Sequence, residues 1–76
     1  MFDKEGGTTV RNSIAVRRKQ RQLSQAEVAV LTNVTRQTIN AIENDKYDPS
    51  LTLAFELAAC LGTTVDELFD FRGKRE

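Results

Sequence analysis

The sequence contains no histidine and no tryptophan, and only one cysteine, one methionine, one proline and one tyrosine. Without histidine, the commonest proton shuttle at neutral pH is missing. Cys60 has no second cysteine for an internal disulfide and no thiol or imidazole partner for a metal site. Set in LAACLG on an apolar helical face, it reads as a small packing residue rather than a reactive thiol. The carboxylates are scattered, and no nucleophile stands with a base, so no catalytic role, cofactor or metal is expected. No apolar run reaches the length of a membrane-spanning helix, and the opening MFDKEGGTTV lacks the apolar core of a signal peptide. A cytoplasmic, reducing location without membrane contact is the expectation.

Net charge is missing as well, since 11 Lys and Arg balance 11 Asp and Glu. That argues against tight non-specific binding to a polyanion, where basic excess supplies the affinity. The distribution is uneven, however. Residues 1–46 carry eight basic and five acidic side chains, and residues 47–76 carry three and six. The chain is a dipole, positive in its first part and negative behind, able to orient on a polyanion in a salt-sensitive way.

At 76 residues the chain has room for one domain with a small core and no staples. Residues 1–9 are polar, contain Gly6-Gly7, and read as a flexible arm. The domain proper spans 10–70, and 71–76 form a tail. Asn12 can cap a first helix, SIAVRRKQR, which carries the densest basic run. Leu23 precedes a capping box of Ser24 and Glu27 and can staple against Val28. A helix over 25–31 follows, then the brief turn Thr32-Asn33-Val34, then a helix over 36–43 opened by Thr35. Asn44 to Pro49 is loop by composition. A fourth helix runs from about Leu51 to Leu61, its apolar face made by Leu53, Leu57, Cys60 and Leu61 and widened by Ala54 and Phe55, with Gly62 ending it. Thr64 and Glu67 repeat the capping box and start a fifth, short helix through Leu68 and Phe69. The expected core is Ile14, Leu23, Val28, Ala29, Val34, Ile39, Ile42, Leu53, Leu57, Leu61, Val65 and Leu68.

Beyond it, Phe69-Asp70-Phe71-Arg72 alternates with a strand period. Two readings stand: it pairs with Thr8-Thr9-Val10-Arg11 as a small antiparallel ribbon, or Phe69 packs on the core and the rest frays.

Residues 24–44 carry the functional signal. Two short helices joined by so tight a turn cross steeply and leave the polar side of the second one free. In RQTINAIEN, Ile39 and Ile42 face one way and Arg36, Gln37 and Asn40 the other. Arg, Gln and Asn are the side chains that bond base edges bidentately in the major groove, so this is a helix-turn-helix plan. The competing interpretation is an ordinary helical hairpin with a solvated face.

The segments LSQAEVA, TRQTINAIEN and KYDPSLTLAFELA make the chain resemble the lambda-repressor-like, Cro-type (XRE) family of regulators, over roughly residues 12–69. The resemblance implies an all-α, compact five-helix DNA-binding domain, to which the terminal ribbon would be an addition. It implies that the start of the third helix enters the major groove, with Arg36 and Gln37 and then Asn40 on base edges and Ala41 against a thymine methyl. It implies a phosphate clamp at Gln25, with Thr35, Thr38, Asn44, Lys46 and Lys19 as further phosphate candidates. Arg18 and Glu43 match a pair that bridges the first and third helices, a structural role. Asn33 and Asp45 stand where glycine is usual; both tolerate positive φ. Arg17 and Thr32 occupy positions that are usually apolar, while Val30 and Leu31 are apolar where many relatives are charged. Tyr47 reads as a packing residue of the loop, with a phosphate contact from its hydroxyl as the alternative.

One copy reads only a few base pairs. A homodimer on a palindromic double-stranded operator is therefore expected, joined through Leu68, Phe69 and Phe71, and acting as a repressor. The rival expectation is an antitoxin that binds a partner toxin, using residues 1–9. No small-molecule ligand is expected, since no ligand domain fits in the remaining residues.

Overall fold

The computed structural model describes residues 11–70. In chain order these form β1 (Arg11–Asn12), α1 (Ile14–Gln20), α2 (Gln25–Thr32), α3 (Arg36–Glu43), α4 (Leu51–Cys60), α5 (Val65–Leu68) and β2 (Phe69–Asp70). The fold is the expected five-helix arrangement, closed by a two-stranded antiparallel ribbon.

Four of the helix starts are capped by hydroxyls. The Ser24 Oγ accepts the Glu27 N–H at 3.0 Å, and the Ser24 N–H donates to the Glu27 carboxylate at 2.7 Å, completing the reciprocal box. Thr35, Ser50 and Thr64 accept the N–H of Thr38, Leu53 and Glu67 in the same way. Such caps satisfy backbone donors that a helix start leaves open. At Thr64 only half of the expected box forms, because the Glu67 carboxylate accepts the Thr63 hydroxyl instead, at 3.1 Å. The N-cap of α1 is Ser13, without a side-chain cap bond, so the cap expected at Asn12 lies one residue later. Asn12, in β1, still accepts the Ile14 N–H with its Oδ1 at 3.1 Å while its Nδ2 donates to the Ile42 carbonyl at 2.8 Å, fastening the start of α1 to the end of α3.

The core is built from Ile14, Val28, Ala29, Ile39, Ile42, Leu53, Leu57, Ala58, Leu61 and Leu68, with Leu23, Val34, Cys60, Val65 and Phe69 half-buried against it. Every expected core residue is in one of these groups. Phe55 is not: it stands 59% exposed, and Leu51, one turn before it, is 71% exposed. With 3.6 residues per turn, Leu53, Ala54, Leu57, Ala58 and Leu61 fill the inward stripe of α4, and a residue two places after Leu53 points away from it. Thr32, at a usually apolar position, is buried at no polar cost because its hydroxyl donates to the Val28 carbonyl at 2.8 Å. Burial also pushes the Cys60 thiol above its ordinary pKa, with the positive charge of Arg21 opposing.

The ribbon pairs Arg11 with Asp70 and Asn12 with Phe69. It is therefore shorter on the described residues than the four-residue pairing expected, and Phe69 leaves α5 to enter it. The expected partners Thr8, Thr9, Val10, Phe71 and Arg72 lie outside the described residues, as do the arm 1–9 and the tail 71–76.

The α2–α3 turn depends on one backbone conformation. Asn33 sits at φ 59°, ψ 42°, and the next N–H, of Val34, donates back to the Ala29 carbonyl at 3.0 Å. Asp45, after α3, also has φ 59°, and so does Gln22, which the sequence did not flag. A β-branched side chain is the worst fit to this region. Asn33→Val should cost about 1–2 kcal/mol, while Asn33→Gly should be tolerated; urea unfolding of the two variants measures the difference.

Candidate nucleic-acid interface

On α3 the buried residues are Ile39 and Ile42, and they set the helix rotation. Arg36, Gln37 and Asn40 consequently stand exposed on the opposite side. Thr35 and Asn44 bracket that side, exposed, at the two caps of α3, and Lys46 follows in the loop. Thr38 and Ala41 are half-buried at its margins, the Thr38 hydroxyl 3.0 Å from that of Thr35. Lys19 is exposed on α1. Tyr47 is 52% exposed, its side chain partly covered and partly open to solvent.

What fixes α3 in place is a chain of polar contacts behind this surface. The Arg18 Nε donates to Glu43 Oε2 at 2.7 Å and its Nη2 to Oε1 at 3.2 Å, a two-point ion pair. Its third nitrogen, Nη1, donates to the Leu23 carbonyl at 3.0 Å. Arg18 thereby ties α1 to the last turn of α3 and to the entry of α2. Both side chains are nearly covered, at 11% and 6% exposure. The hydrogen bond to Glu43 raises the Arg18 pKa above its ordinary value, burial opposes, and the carboxylate charge adds to the rise. The sign follows: the arginine's contribution to stability is complete below its ordinary pKa and is lost only as pH climbs through the raised one.

Gln25, the first residue of α2, continues the chain. Its Nε2 donates to Glu43 Oε1 at 2.9 Å and to Asn40 Oδ1 at 3.2 Å. The Asn44 Nδ2 reaches the Asn40 backbone carbonyl at 2.8 Å and Asn40 Oδ1 at 3.1 Å. The Gln25 amide is therefore committed to α3, and the expected phosphate clamp is reduced to its backbone N–H. Residue spacing alone does not give this network. The i, i+4 spacing of Asn40 and Asn44 was a usable signal, but nothing in the order of residues brings Gln25 to them.

The residues assigned to a dimer surface are dispersed. Leu68 is 1% exposed and belongs to the monomer core, so it is a correction: its side chain is spent inside the domain. Phe69 is half-buried, and Phe71 lies outside the described residues. The exposed apolar side chains nearby are instead Leu51 and Phe55 of α4. Leu51 also lines an open groove of about 330 Å³ with Asp48, Pro49, Ala54, Val65 and Phe69.

A family model described as Helix-turn-helix matches residues 14–68. The chain belongs to this family, in its lambda-repressor-like, Cro-type form. It is 42% identical over 60 residues to an uncharacterised HTH-type transcriptional regulator of Methanocaldococcus jannaschii, covering 79% of this chain and 91% of that one. It is 37% identical over 60 residues to the immunity repressor protein of Bacillus phage phi105, covering 79% of this chain and 42% of the phage protein. Among solved structures, the restriction-modification controller protein C.AhdI from Aeromonas hydrophila superposes with a TM-score of 0.69 at 28% identity, over 74% of this chain and 85% of that one. A similar fold also occurs as part of an enzyme, hydroxypropylphosphonic acid epoxidase from S. wedmorenis, with a TM-score of 0.67 at 28% identity, over 76% of this chain and 33% of the enzyme. Family membership thus fixes the architecture and the DNA-binding regulator type, while individual roles rest on the surface itself.

Removing either partner of the Arg18–Glu43 pair leaves the other nearly buried without its counter-charge. Arg18→Ala and Glu43→Ala should each cost about 3 kcal/mol in urea unfolding. The double variant should cost clearly less than the sum, because the second substitution removes the stranded charge.

Proposed function

We propose that the protein is a sequence-specific, double-stranded-DNA-binding transcriptional regulator of the cytoplasm that represses by occupying a palindromic operator as a homodimer. The observation that carries this reading is the polar side of α3, where Arg36, Gln37 and Asn40 stand exposed on a helix braced from behind by Arg18 and Glu43. A rigid helix that offers these three side chains can enter a major groove and bond base edges. Thr35, Thr38, Lys46, Lys19 and the Gln25 backbone N–H stand around it as phosphate contacts, and Ala41 as a thymine-methyl contact; Asn44 leaves this set, because its side-chain and backbone N–H groups all donate to Asn40. Phosphate contacts set register, and base contacts set sequence.

A second copy is supported by the apolar side chains left outside. Leu51 and Phe55 lie one helical turn apart on α4, and Leu51 also lines the groove that reaches Phe69. Exposed apolar surface of this kind marks a contact site. The dimer reading therefore moves from Leu68 to α4, with Phe69 at its edge and Phe71 beyond. The alternative reading, an antitoxin with a toxin partner, draws on residues 1–9, which lie outside the described residues.

Two measurements test the proposal. Host genomic fragments selected by the purified protein at physiological salt should yield one palindromic site, and Arg36→Ala/Gln37→Ala should lose it. Each lost contact is worth about 1–3 kcal/mol of discrimination; recovery that ignores sequence and survives the double substitution sinks the reading. In sedimentation, the wild type should run as a dimer and Leu51→Glu/Phe55→Glu as a folded monomer. A dimer that persists in that variant places the interface elsewhere.

A further inference from the structure

The amide groups around Asn40 are oriented by their neighbours. The Glu43 carboxylate can only accept, so the Gln25 atom 2.9 Å from it is the amide nitrogen. The second hydrogen of that nitrogen points to the Asn40 side chain, 3.2 Å away. A backbone carbonyl can also only accept, so the Asn44 atom 2.8 Å from the Asn40 carbonyl is likewise the nitrogen. Its second hydrogen meets the same Asn40 side-chain atom at 3.1 Å. Two donors converge on one atom of Asn40, which must be its oxygen, and they occupy both lone pairs.

We infer that Asn40 is a donor-only reader that selects guanine. This rests on the DNA-binding reading proposed for α3. An unconstrained asparagine prefers adenine, accepting from N6–H with its oxygen while donating to N7. Here the oxygen is spent, and only the Nδ2 hydrogens remain for a base. Guanine presents two neighbouring acceptors, O6 and N7, with no donor beside them in the major groove. Adenine and cytosine both turn an amino group toward an amide that has no acceptor to offer, and thymine presents a single acceptor, O4, beside its methyl group. Turning the Asn40 amide over would aim its NH2 at two donors and strand all three in place of two bonds. Gln25 and Asn44 are the positioning residues, and the orientation of Gln25 is itself dictated by the Arg18–Glu43 pair.

The test is selection from randomised duplexes by the full chain at physiological salt, with wild type, Arg36→Ala, Asn40→Ala and Gln25→Ala/Asn44→Ala. The position at which Asn40→Ala abolishes preference is the one Asn40 reads. Wild type should favour guanine over adenine there by about tenfold, and the Gln25/Asn44 variant should accept both. A general loss of affinity would not change base choice at one position alone. Adenine preferred there by the wild type overturns the inference. So does an unchanged profile in Asn40→Ala while Arg36→Ala alters another position, in which case the DNA-binding reading stands. No enriched sequence with any protein overturns that reading itself. If the double variant does not fold, hydrogen-bond scalar couplings in the wild type decide. Couplings from the Gln25 and Asn44 amide nitrogens to the Asn40 side-chain carbonyl carbon support the inference, and their absence refutes it.

Discussion

The two-point contact between Arg18 and Glu43 is the joint on which the rest of the surface depends. One guanidinium reaches a carboxylate at the end of α3 and the carbonyl of Leu23 ahead of α2. Hydrophobic contacts at Ile39 and Ile42 set which side of α3 turns inward, but they are non-directional and leave its axial position soft. The ion pair and the Asn12 bond to the Ile42 carbonyl supply direction. Their energetic worth is modest, since both partners give up water to meet. Their worth in geometry is larger, because side chains that read bases must be held to a fraction of an ångström.

The same joint shows how stability and recognition share groups in so small a domain. Glu43 accepts from Arg18 and Gln25 at once, and Gln25 passes the constraint to Asn40. A residue facing the solvent is thereby oriented from the interior. Helix caps act on the same element: Thr35 satisfies the Thr38 N–H and so fixes where α3 begins.

Much of this was legible in the sequence because it is local. Ser24 with Glu27, Asn33 at a turn, and the spacing of Ile39 and Ile42 each follow from backbone rules acting over four residues. The helix order, the cores of α2 to α5 and the Arg18–Glu43 pairing all emerged, the last through the family resemblance. What was not legible is relational. Phe55 was assigned inward because it is apolar, and only the phase of the α4 stripe excludes it. Leu68 is expected both in the core and at the dimer surface, and at 1% exposure it serves only the first. The Gln25–Asn40 contact depends on the crossing of α2 over α3, which no spacing encodes. Of the ribbon, the described residues show the pairs Arg11 with Asp70 and Asn12 with Phe69.

Residues 47–70, which supply α4, α5 and β2, contain five acidic side chains and no lysine or arginine. All the cations of the described residues therefore lie on β1, α1 to α3 and the loop that follows. For a molecule with no overall charge, a polyanion exerts little pull at a distance. Counterion release, which holds most such proteins on random sequence, is correspondingly small. Such a charge layout favours brief encounters with DNA over long sliding runs.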